Sequence, residues 1–157
     1  MSQAAKVVVL PPRGYALEVG YPSIPDYINL RTASGLTPKN EAQAKAVPSG
    51  SWYGCYIKFT AEDGSESAVG MGRIIGDGGW YFHIADMAVL PEHQRKGLGN
   101  AILKHLLAYI KENAAEGEPY INLFADPPGR KLYHANGFLD AAPKELGMHL
   151  PKGWRYA

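Results

Sequence analysis

One continuous segment, residues 81–100, constrains the fold of this 157-residue chain more than any other. It reads as a buried strand from Tyr81 to Leu90, a stop at Pro91, and a turn, Gln94-Arg95-Lys96-Gly97-Leu98-Gly99, that opens directly into a long helical pattern. A strand that enters a helix through glycines leaves several main-chain N–H groups unpaired at the positive end of the helix dipole. Such a turn suits phosphate oxygens, and its arginine and lysine add positive charge beside them. We therefore expect a ligand that carries phosphate groups.

The composition is that of an ordinary globular protein. Hydrophobic residues make up 46% of the chain and charged residues 20%, and the length suits a single domain over residues 1–157. A net charge of +1 argues against nucleic-acid binding, which needs a basic surface. One cysteine, Cys55, cannot form an internal disulfide or a cysteine-rich zinc site, and histidines 93, 105, 134 and 149 follow no metal-ligand spacing. Since no apolar run has membrane-spanning length and the start lacks a signal-peptide layout, we expect a cytoplasmic protein without metal, nucleic-acid or membrane partners.

The periodicity of the chain predicts alternating short strands and helices. Strands are predicted over Tyr15–Gly20, Trp52–Phe59, Ser67–Ile75, Tyr81–Leu90 and Tyr120–Ala125, with a last strand or pair of strands from Phe138 onward. Helices are predicted over Asp26–Ala33, from Thr37-Pro38 to Val47, from Leu98 onward, and over Arg130–Asn136. Hairpin turns at 62–65 and 76–79 make the N-terminal strands an antiparallel meander, and the long helix leads to a parallel strand. The predicted fold class is α/β with a mixed sheet.

A second motif near the C-terminus, Leu132-Tyr133-His134-Ala135-Asn136-Gly137-Phe138, accompanies the glycine turn. The first motif comprises Asp86-Met87-Ala88-Val89, Pro91 and Gln94-x-x-Gly97-x-Gly99, and one long helix and one strand separate the two. With both motifs in this order, the chain resembles the GNAT superfamily of acetyl-CoA-dependent N-acetyltransferases. The resemblance covers Tyr81–Phe138 well, and the strand order of the whole chain fits it. It implies a single GNAT-like domain with splayed central strands.

The resemblance also implies how acetyl-CoA would bind. In the family, main-chain amides of the turn hold the pyrophosphate, and the pantetheine arm pairs like an added strand with the splayed edge, near a bulge around Asp86–Ala88. Asp126 stands where the family often has asparagine, and Gly129 where it often has alanine. Asp126 can accept a hydrogen bond from the pantetheine but cannot donate one as an amide does. The expected contacts are Met87, Ala88, Val89, Arg95, Lys96, Gly97, Leu98, Gly99, Asn100 and Asp126.

Tyr133 is the expected general acid, because it occupies the tyrosine position of the second motif. Acetyl transfer expels a thiolate, and a phenol near the sulfur can donate a proton as that thiolate departs. The alternative is that Tyr133 is only a packed aromatic side chain on an amphipathic helix.

The acceptor amine must lose a proton before it attacks, because alkylammonium groups titrate near pH ~10.4. His83 lies eleven positions before Gln94, where histone-type and aralkylamine-type members of the family carry a carboxylate or histidine. A histidine pKa of about 6.5 suits a base at neutral pH, and the alternative is a hydrogen-bonded core histidine. Asp86 or a chain of water molecules is the alternative candidate for the general base, although a carboxylate at this position more often has a structural role. Strand alternation predicts two opposite faces, with His83, Ala85 and Met87 on one and Ile84, Asp86 and Ala88 on the other.

The expected acceptor is a small-molecule primary amine, because the chain has many aromatic side chains and no acidic run to bind a polyamine or histone tail. An aromatic-lined pocket suits an arylalkylamine, although most aromatic residues can equally belong to the core. The candidates are Tyr21, Tyr27, Trp52, Tyr53, Trp80, Tyr81, Trp154 and Tyr156. We expect direct transfer in a ternary complex, because Cys55 lies on an early strand without a base in register. The alternatives are a protein or peptide acetyltransferase and a non-catalytic acetyl-CoA-binding module, and the resemblance leaves a homodimer open.

Overall fold

The structure, a computed structural model, describes residues 8–10 and 12–154 of the chain, so Tyr156 lies outside the described residues. The chain divides into two compact units, residues 1–123 and residues 124–157. One domain over residues 1–157 stays a prediction. Within the described ranges, no helix combines the length and the apolar character needed to cross a membrane.

The first unit contains one six-stranded mixed sheet, which confirms the predicted fold class. Its strands are β1 (Val8–Leu10), β2 (Tyr15–Val19), β3 (Tyr53–Thr60), β4 (Glu66–Gly76), β5 (Tyr81–Val89) and β6 (Tyr120–Asn122). They follow one another in chain order, and all neighbours are antiparallel except β5 and β6, which are parallel. The helices are α1 (Ile24–Ala33), α2 (Glu41–Lys45) and α3 (Leu98–Asn113), and the second unit holds α4 (Arg130–Ala135). Short 3₁₀ turns cover Pro91–His93 and Pro127–Gly129.

The long helix α3 packs one apolar face on β3, β4 and β5. Its buried residues recur at helical spacing and are Leu98, Ile102, Leu103, Leu106 and Ile110. The close approach of α3 depends on Gly72 of β4. A Cβ atom at Gly72 would lie 2.6 Å from Ile102 Cγ2 and 3.1 Å from Leu106 Cδ1. This packing holds α3, and with it the turn that precedes the helix, against the sheet.

Helix α1 packs on the opposite face of the same sheet, against β4 and β5. The helix begins after Ser23, whose hydroxyl accepts a hydrogen bond from the Asp26 N–H at 3.2 Å. The Arg73 side chain of β4 lies on the α1 side of the sheet, where Arg73 and Arg31 of α1 both donate to Asp86. The adjacent Gly72 faces α3, because successive strand residues point to opposite faces. Helices therefore cover the centre of the β4–β5 pair on both sides.

Two N-terminal elements differ from the predictions. Strand β1, which pairs antiparallel with β2, was not predicted. The predicted helix start at Thr37-Pro38 is wrong, because α2 begins at Glu41 with Asn40 as its N-cap. The Asn40 side chain accepts from the Gln43 N–H at 2.9 Å, and Gln43 Oε1 accepts from the Asn40 N–H at 3.2 Å. This reciprocal cap satisfies the first amides of the helix and prevents its extension backward.

The chain after β5 also departs from the predictions at two places. β6 ends at Asn122, three residues before the predicted Ala125. The predicted final strand or strands from Phe138 are wrong, because the described residues up to 154 form none. Residues 139–154 are exposed and are interrupted by Pro143, Gly147, Pro151 and Gly153, which disfavour regular pairing.

The variant Gly72→Ala tests the packing of α3. We expect it to lower the free energy of unfolding by roughly 1–3 kcal/mol, because the added methyl group overpacks the contact with Ile102 and Leu106. Urea denaturation followed by circular dichroism measures the change. Gly79→Ala is the matched control, because a Cβ there meets no atom closer than 3.4 Å. Equal stability of the two variants would contradict the packing described here.

Candidate active site

The C-terminal part of β5 has an open edge. β6 pairs with β5 at three positions only, Tyr81 with Tyr120, Phe82 with Ile121 and His83 with Asn122. Residues 84–89 continue β5 beyond the last of these pairs, with β4 on their other side. In the part of the chain that the structure describes, no other strand pairs with this edge. The expected splay is confirmed, and Met87, Ala88 and Val89 lie on the strand whose edge is open to an extended partner.

A bulge interrupts β5 within this edge. The β4–β5 register shifts between Met71, which pairs with Ala88, and Arg73, which pairs with Ala85. One residue of β4 therefore opposes two residues of β5, Asp86 and Met87, and Asp86 has a left-handed φ of 57°. The bulge lies where the family resemblance implies one.

The bulge overturns the predicted faces of Asp86 and Met87. The Asp86 side chain lies on the α1 side, where Arg73 donates to it, and Ala85 pairs with Arg73 on that same side. Met87 lies on the α3 side, with its Sδ atom 2.7 Å from the position of a Cβ on Gly72. The prediction assumed strict alternation, and the extra residue of the bulge reverses it from Asp86 onward.

Asp86 accepts hydrogen bonds from three side chains in a buried cluster, which we call the Asp86 cluster. Its Oδ1 atom accepts from Arg31 Nη1 at 2.5 Å, and its Oδ2 atom accepts from Arg73 Nε and Tyr27 Oη, both at 2.6 Å. Only 8% of the Asp86 side chain is exposed. Arg31 and Tyr27 are four residues apart on α1, so both reach the carboxylate from one helical face. Tyr27 was predicted only as an aromatic candidate for the acceptor pocket, and Arg31 and Arg73 were not predicted as members of the site.

His83 is half-buried and lies on the face of the sheet that α1 covers, three residues before Asp86. Its Nδ1 atom is 2.5 Å from Oδ1 of Asn122, its pairing partner on β6. The amide oxygen of Asn122 can only accept, so Nδ1 carries the hydrogen and Nε2 is the basic nitrogen of the ring. This geometry orients the imidazole and suits a proton acceptor. Asn122 reaches His83 because the parallel register of β5 and β6 pairs the two residues, and no local sequence pattern specifies that register.

The turn before α3 has two residues with left-handed backbone, Arg95 with φ 62° and Gly97 with φ 79°. Gly97 is the N-cap of α3 and provides no side-chain cap, and the first turn of the helix contains no acidic residue. The Ala101 N–H donates to the Gly97 carbonyl at 3.0 Å as the helix begins, so the amides before Ala101 lie at the positive end of the dipole. Gln94 Nε2 donates to the carbonyl of Val89 at 2.9 Å and joins the turn to the end of β5.

The residues of the turn fit a diphosphate. Apart from its chain neighbours, a Cβ atom at Gly97 would meet no atom within 4 Å, so the space on the Cβ side of Gly97 is open. The side chains of Arg95 and Lys96 are exposed beside it, and Lys96 Nζ also donates to the Glu92 carbonyl at 2.7 Å. Main-chain amides, a helix N-terminus and two cations together form an anion-binding surface. Arg95, Lys96, Gly97, Leu98, Gly99 and Asn100 all belong to this turn or to the first turn of α3.

The second unit carries the tyrosine motif on α4. The Tyr133 ring is half-buried and packs edge-on against Phe138, with 5.9 Å between ring centroids. Burial, with a smaller contribution from the carboxylate of Asp126, raises the pKa of Tyr133. Gly129 makes room for the ring, since a Cβ there would lie 3.0 Å from Tyr133 Cε2. Asp126 is exposed and does not cap the 3₁₀ turn that follows it, and Gly137, with φ 89°, follows the helix.

Cys55 is fully buried within the sheet. Burial raises the pKa of its thiol to about 12, so the group is not a thiolate at neutral pH. This environment supports direct transfer over an acyl-cysteine intermediate.

The aromatic residues of the first unit separate into packed, buried or half-buried residues and a surface patch. Trp52 packs against Phe82 and Tyr109, and Tyr53 stacks on Tyr109 with 3.5 Å between ring centroids. Tyr81 and Tyr120 are 43% and 42% exposed, and their ring centroids lie 5.6 Å apart. They are paired residues and lie on the face of His83, because residues two apart on a strand share a face. An exposed aromatic patch therefore adjoins His83 along β5.

Comparisons with known proteins agree with this geometry. The family model described as Acetyltransferase (GNAT) domain matches residues 54–139, more than half of the chain. A solved structure of a probable acetyltransferase from meticillin-resistant Staphylococcus aureus is 33% identical in sequence, with a TM-score of 0.78 over 87% of this chain and 98% of that chain. A comparison with curated proteins found no match.

Two solved structures with named acceptors share the fold at lower identity. The ribosomal-protein-S18-alanine N-acetyltransferase from Escherichia coli is 17% identical, with a TM-score of 0.60 over 88% of this chain and 80% of that chain. The glucosamine-6-phosphate N-acetyltransferase from Arabidopsis thaliana is 15% identical, with a TM-score of 0.60 over 87% of this chain and 98% of that chain. Such identities show a common fold and leave the acceptor open. The family match and the Staphylococcus aureus structure show that this chain belongs to the GNAT family of acetyltransferases.

Proposed function

We propose that this protein transfers the acetyl group of acetyl-CoA to the primary amine of a small molecule, by direct transfer in a ternary complex. One observation carries the proposal: the open edge of β5 leads directly into the anion-binding turn of α3. Coenzyme A has the same order of parts, an amide-containing arm followed by a diphosphate. An extended arm can pair with the edge at Met87–Val89 while the diphosphate lies at Arg95–Asn100. Asp126 is a further proposed acceptor for the arm.

The bound donor supplies a thioester, whose carbonyl carbon is open to attack by an amine. On the acceptor side, His83 Nε2 is the proposed proton acceptor, directly or through water, while Asn122 holds the ring by its Nδ1 atom. On the leaving-group side, Tyr133 is the proposed proton donor. Its raised pKa keeps the phenol protonated at neutral pH, as a donor to a departing thiolate requires.

The aromatic patch of Tyr81 and Tyr120 supports a small amine with an aromatic or apolar part. These side chains lie two residues from His83 and Asn122 along their strands, which is about 7 Å at strand spacing. An aromatic ring on the patch would therefore place an amine on a short alkyl spacer near the imidazole. A cytoplasmic location and a homodimer stay predictions.

A protein or peptide acceptor is the second candidate, because the fold is shared with a ribosomal-protein acetyltransferase. A non-catalytic acetyl-CoA-binding module is the third. Incubation with acetyl-CoA and a panel of amines and peptides, with free thiol followed by absorbance, separates the three. Turnover with arylalkylamines supports the first candidate, turnover with peptides alone the second, and acetyl-CoA binding without thiol release the third.

The variant Tyr133→Phe tests the proton donor. We expect kcat to fall roughly 100-fold while the Kd of coenzyme A stays within about twofold, because only the proton is lost. In the wild type, the rate should decline only above the ordinary titration range of tyrosine, because the raised pKa keeps the acid form present up to that pH. Tyr56→Phe is the matched control, since that hydroxyl donates to Glu18 between β2 and β3. A fully active Tyr133→Phe enzyme would refute this role.

The variant Gly97→Ala tests the anion-binding turn. Alanine at φ 79° strains the backbone by about 1–2 kcal/mol and fills the open space on the Cβ side of Gly97. We expect the Kd of coenzyme A to rise at least roughly tenfold in calorimetry. Gly64→Ala is the control, because Gly64 has φ 84° and an open Cβ position but belongs to the β3–β4 hairpin turn, outside residues 94–100. If both variants bind coenzyme A equally well, the turn does not hold the diphosphate.

The variant His83→Gln tests the proton acceptor. We expect kcat/KM for the amine to fall roughly 100-fold at pH 7. The deficit should shrink as the pH rises toward the ~10.4 of an alkylammonium, because more of the amine is then already deprotonated. Initial rates from pH 6 to pH 10 measure this recovery. A deficit that stays constant over the whole range would argue that His83 has another role.

A further inference from the structure

The Asp86 cluster is the one buried ionic network at the open edge of β5, among the described residues, to which the proposed chemistry assigns no task. Both oxygens of Asp86 already accept hydrogen bonds, and three donors share them. Two guanidinium groups against one carboxylate leave a net positive charge. An approaching substrate ammonium would be repelled by this charge and would find both carboxylate oxygens engaged. The geometry therefore favours a structural role for Asp86 over that of general base.

The two arginines of the cluster are themselves held by further hydrogen bonds. Arg31 Nε donates to the carbonyl of Thr37 at 2.9 Å, in the segment after α1. Arg73 Nη1 donates to Ser51 Oγ at 3.0 Å, and Ser51 in turn donates to the carbonyl of Val47 at 2.6 Å. The cluster thus connects β5 to α1, to β4 and to two loop segments. Such a network restrains the position of the carboxylate, and with it the main chain at residue 86.

The main chain at Asp86 needs this restraint. Asp86 and Arg95 are the described non-glycine residues with positive φ, and such a conformation persists only where the surroundings hold it. Relaxation toward a regular strand would shift the pairing of β5 with β4 by one residue. Met87 and Ala88 would then each point to the face opposite to its present one. The N–H and C=O groups of the open edge would then point in new directions.

We infer that the Asp86 cluster positions the edge of β5 that receives the pantetheine arm, with Arg31 and Arg73 as positioning residues. The inference rests on the proposed function, since it concerns how that same site binds acetyl-CoA. The anion-binding turn has its own local bonds, from Gln94 to Val89 and from Lys96 to Glu92. Loss of the cluster therefore weakens binding of the pantetheine arm and leaves binding of the phosphates unchanged.

The test compares two ligands on the variant Asp86→Asn. Asparagine tolerates the left-handed backbone but places a neutral amide between two guanidinium groups. Calorimetry measures binding of coenzyme A and of adenosine 3′-phosphate 5′-diphosphate, which has the phosphates and lacks the arm. We expect the Kd of coenzyme A to rise about tenfold, as for the loss of one or two hydrogen bonds, and that of the fragment to change by less than about twofold. Arg73→Lys should likewise raise the Kd of coenzyme A and change that of the fragment by less than about twofold.

Two further variants complete the experiment. Lys58→Met disrupts a second ion cluster, formed with Glu18 and Glu66 in the same sheet, and should leave both Kd values unchanged. Tyr27→Phe removes one donor and keeps both ion pairs, so it retains the fold if Asp86→Asn does not. We expect it to raise the Kd of coenzyme A alone by about threefold.

Four results would overturn the inference. Equal weakening of both ligands in Asp86→Asn and also in Tyr27→Phe would show a general loss of structure, and an unchanged Kd of coenzyme A with an unchanged kcat would show that the cluster does not position the edge. Loss of kcat with unchanged affinity, together with an altered pH profile, would instead make Asp86 the general base. Wild-type protein that binds no coenzyme A would overturn the proposed function and this inference together, whereas the other results leave the proposed function standing.

Discussion

The left-handed main chain at Asp86 is the constraint on which the rest of the site depends. In a regular strand, alternation would turn the Asp86 carboxylate toward α3, where the facing side chains are apolar and a buried charge would have no partner. The bulge turns the carboxylate to the α1 side instead, where two guanidinium groups and a phenol receive it. Backbone strain at one residue is thus offset by charge-assisted hydrogen bonds, and the strand leaves the bulge with its outer edge open.

The two halves of the proposed acetyl-CoA site are stabilised by different kinds of contact. The open edge of β5 depends on long-range contacts, because its bulge is held by residues of α1 and β4. The turn before α3 depends more on local contacts, since its left-handed residues, its glycine cap and the hydrogen bonds of Gln94 and Lys96 lie within residues 89–101. Packing of α3 through Gly72 brings the two halves together at the end of β5. Substitutions in α1 or β4 should therefore affect the edge of β5, whereas the turn depends mainly on its own residues.

Particular elements show how far sequence reasoning reached. The hairpin turns, the start of α3 at Leu98 and the end of α4 before Gly137 depend on glycines and on short-range periodicity, and the predictions for them are confirmed. The start of α2 was wrong because the capping pair of Asn40 and Gln43 competes successfully with Thr37-Pro38. The strand after Phe138 was wrong because prolines and glycines interrupt the exposed residues 139–154, and both residue types disfavour strand pairing. Arg31, Arg73 and Asn122 carried no local signal at all.

The sequence by itself determined the strand, the turn and the helix of the proposed anion site, because the start of a helix depends on residues within a single turn. Its two motifs also identified the family. Only the tertiary structure decided which face Asp86 occupies, which side chains hold it, and that Asn122 orients His83. These features depend on the register between strands and on contacts between residues 13 to 59 positions apart, which no local pattern of residues specifies.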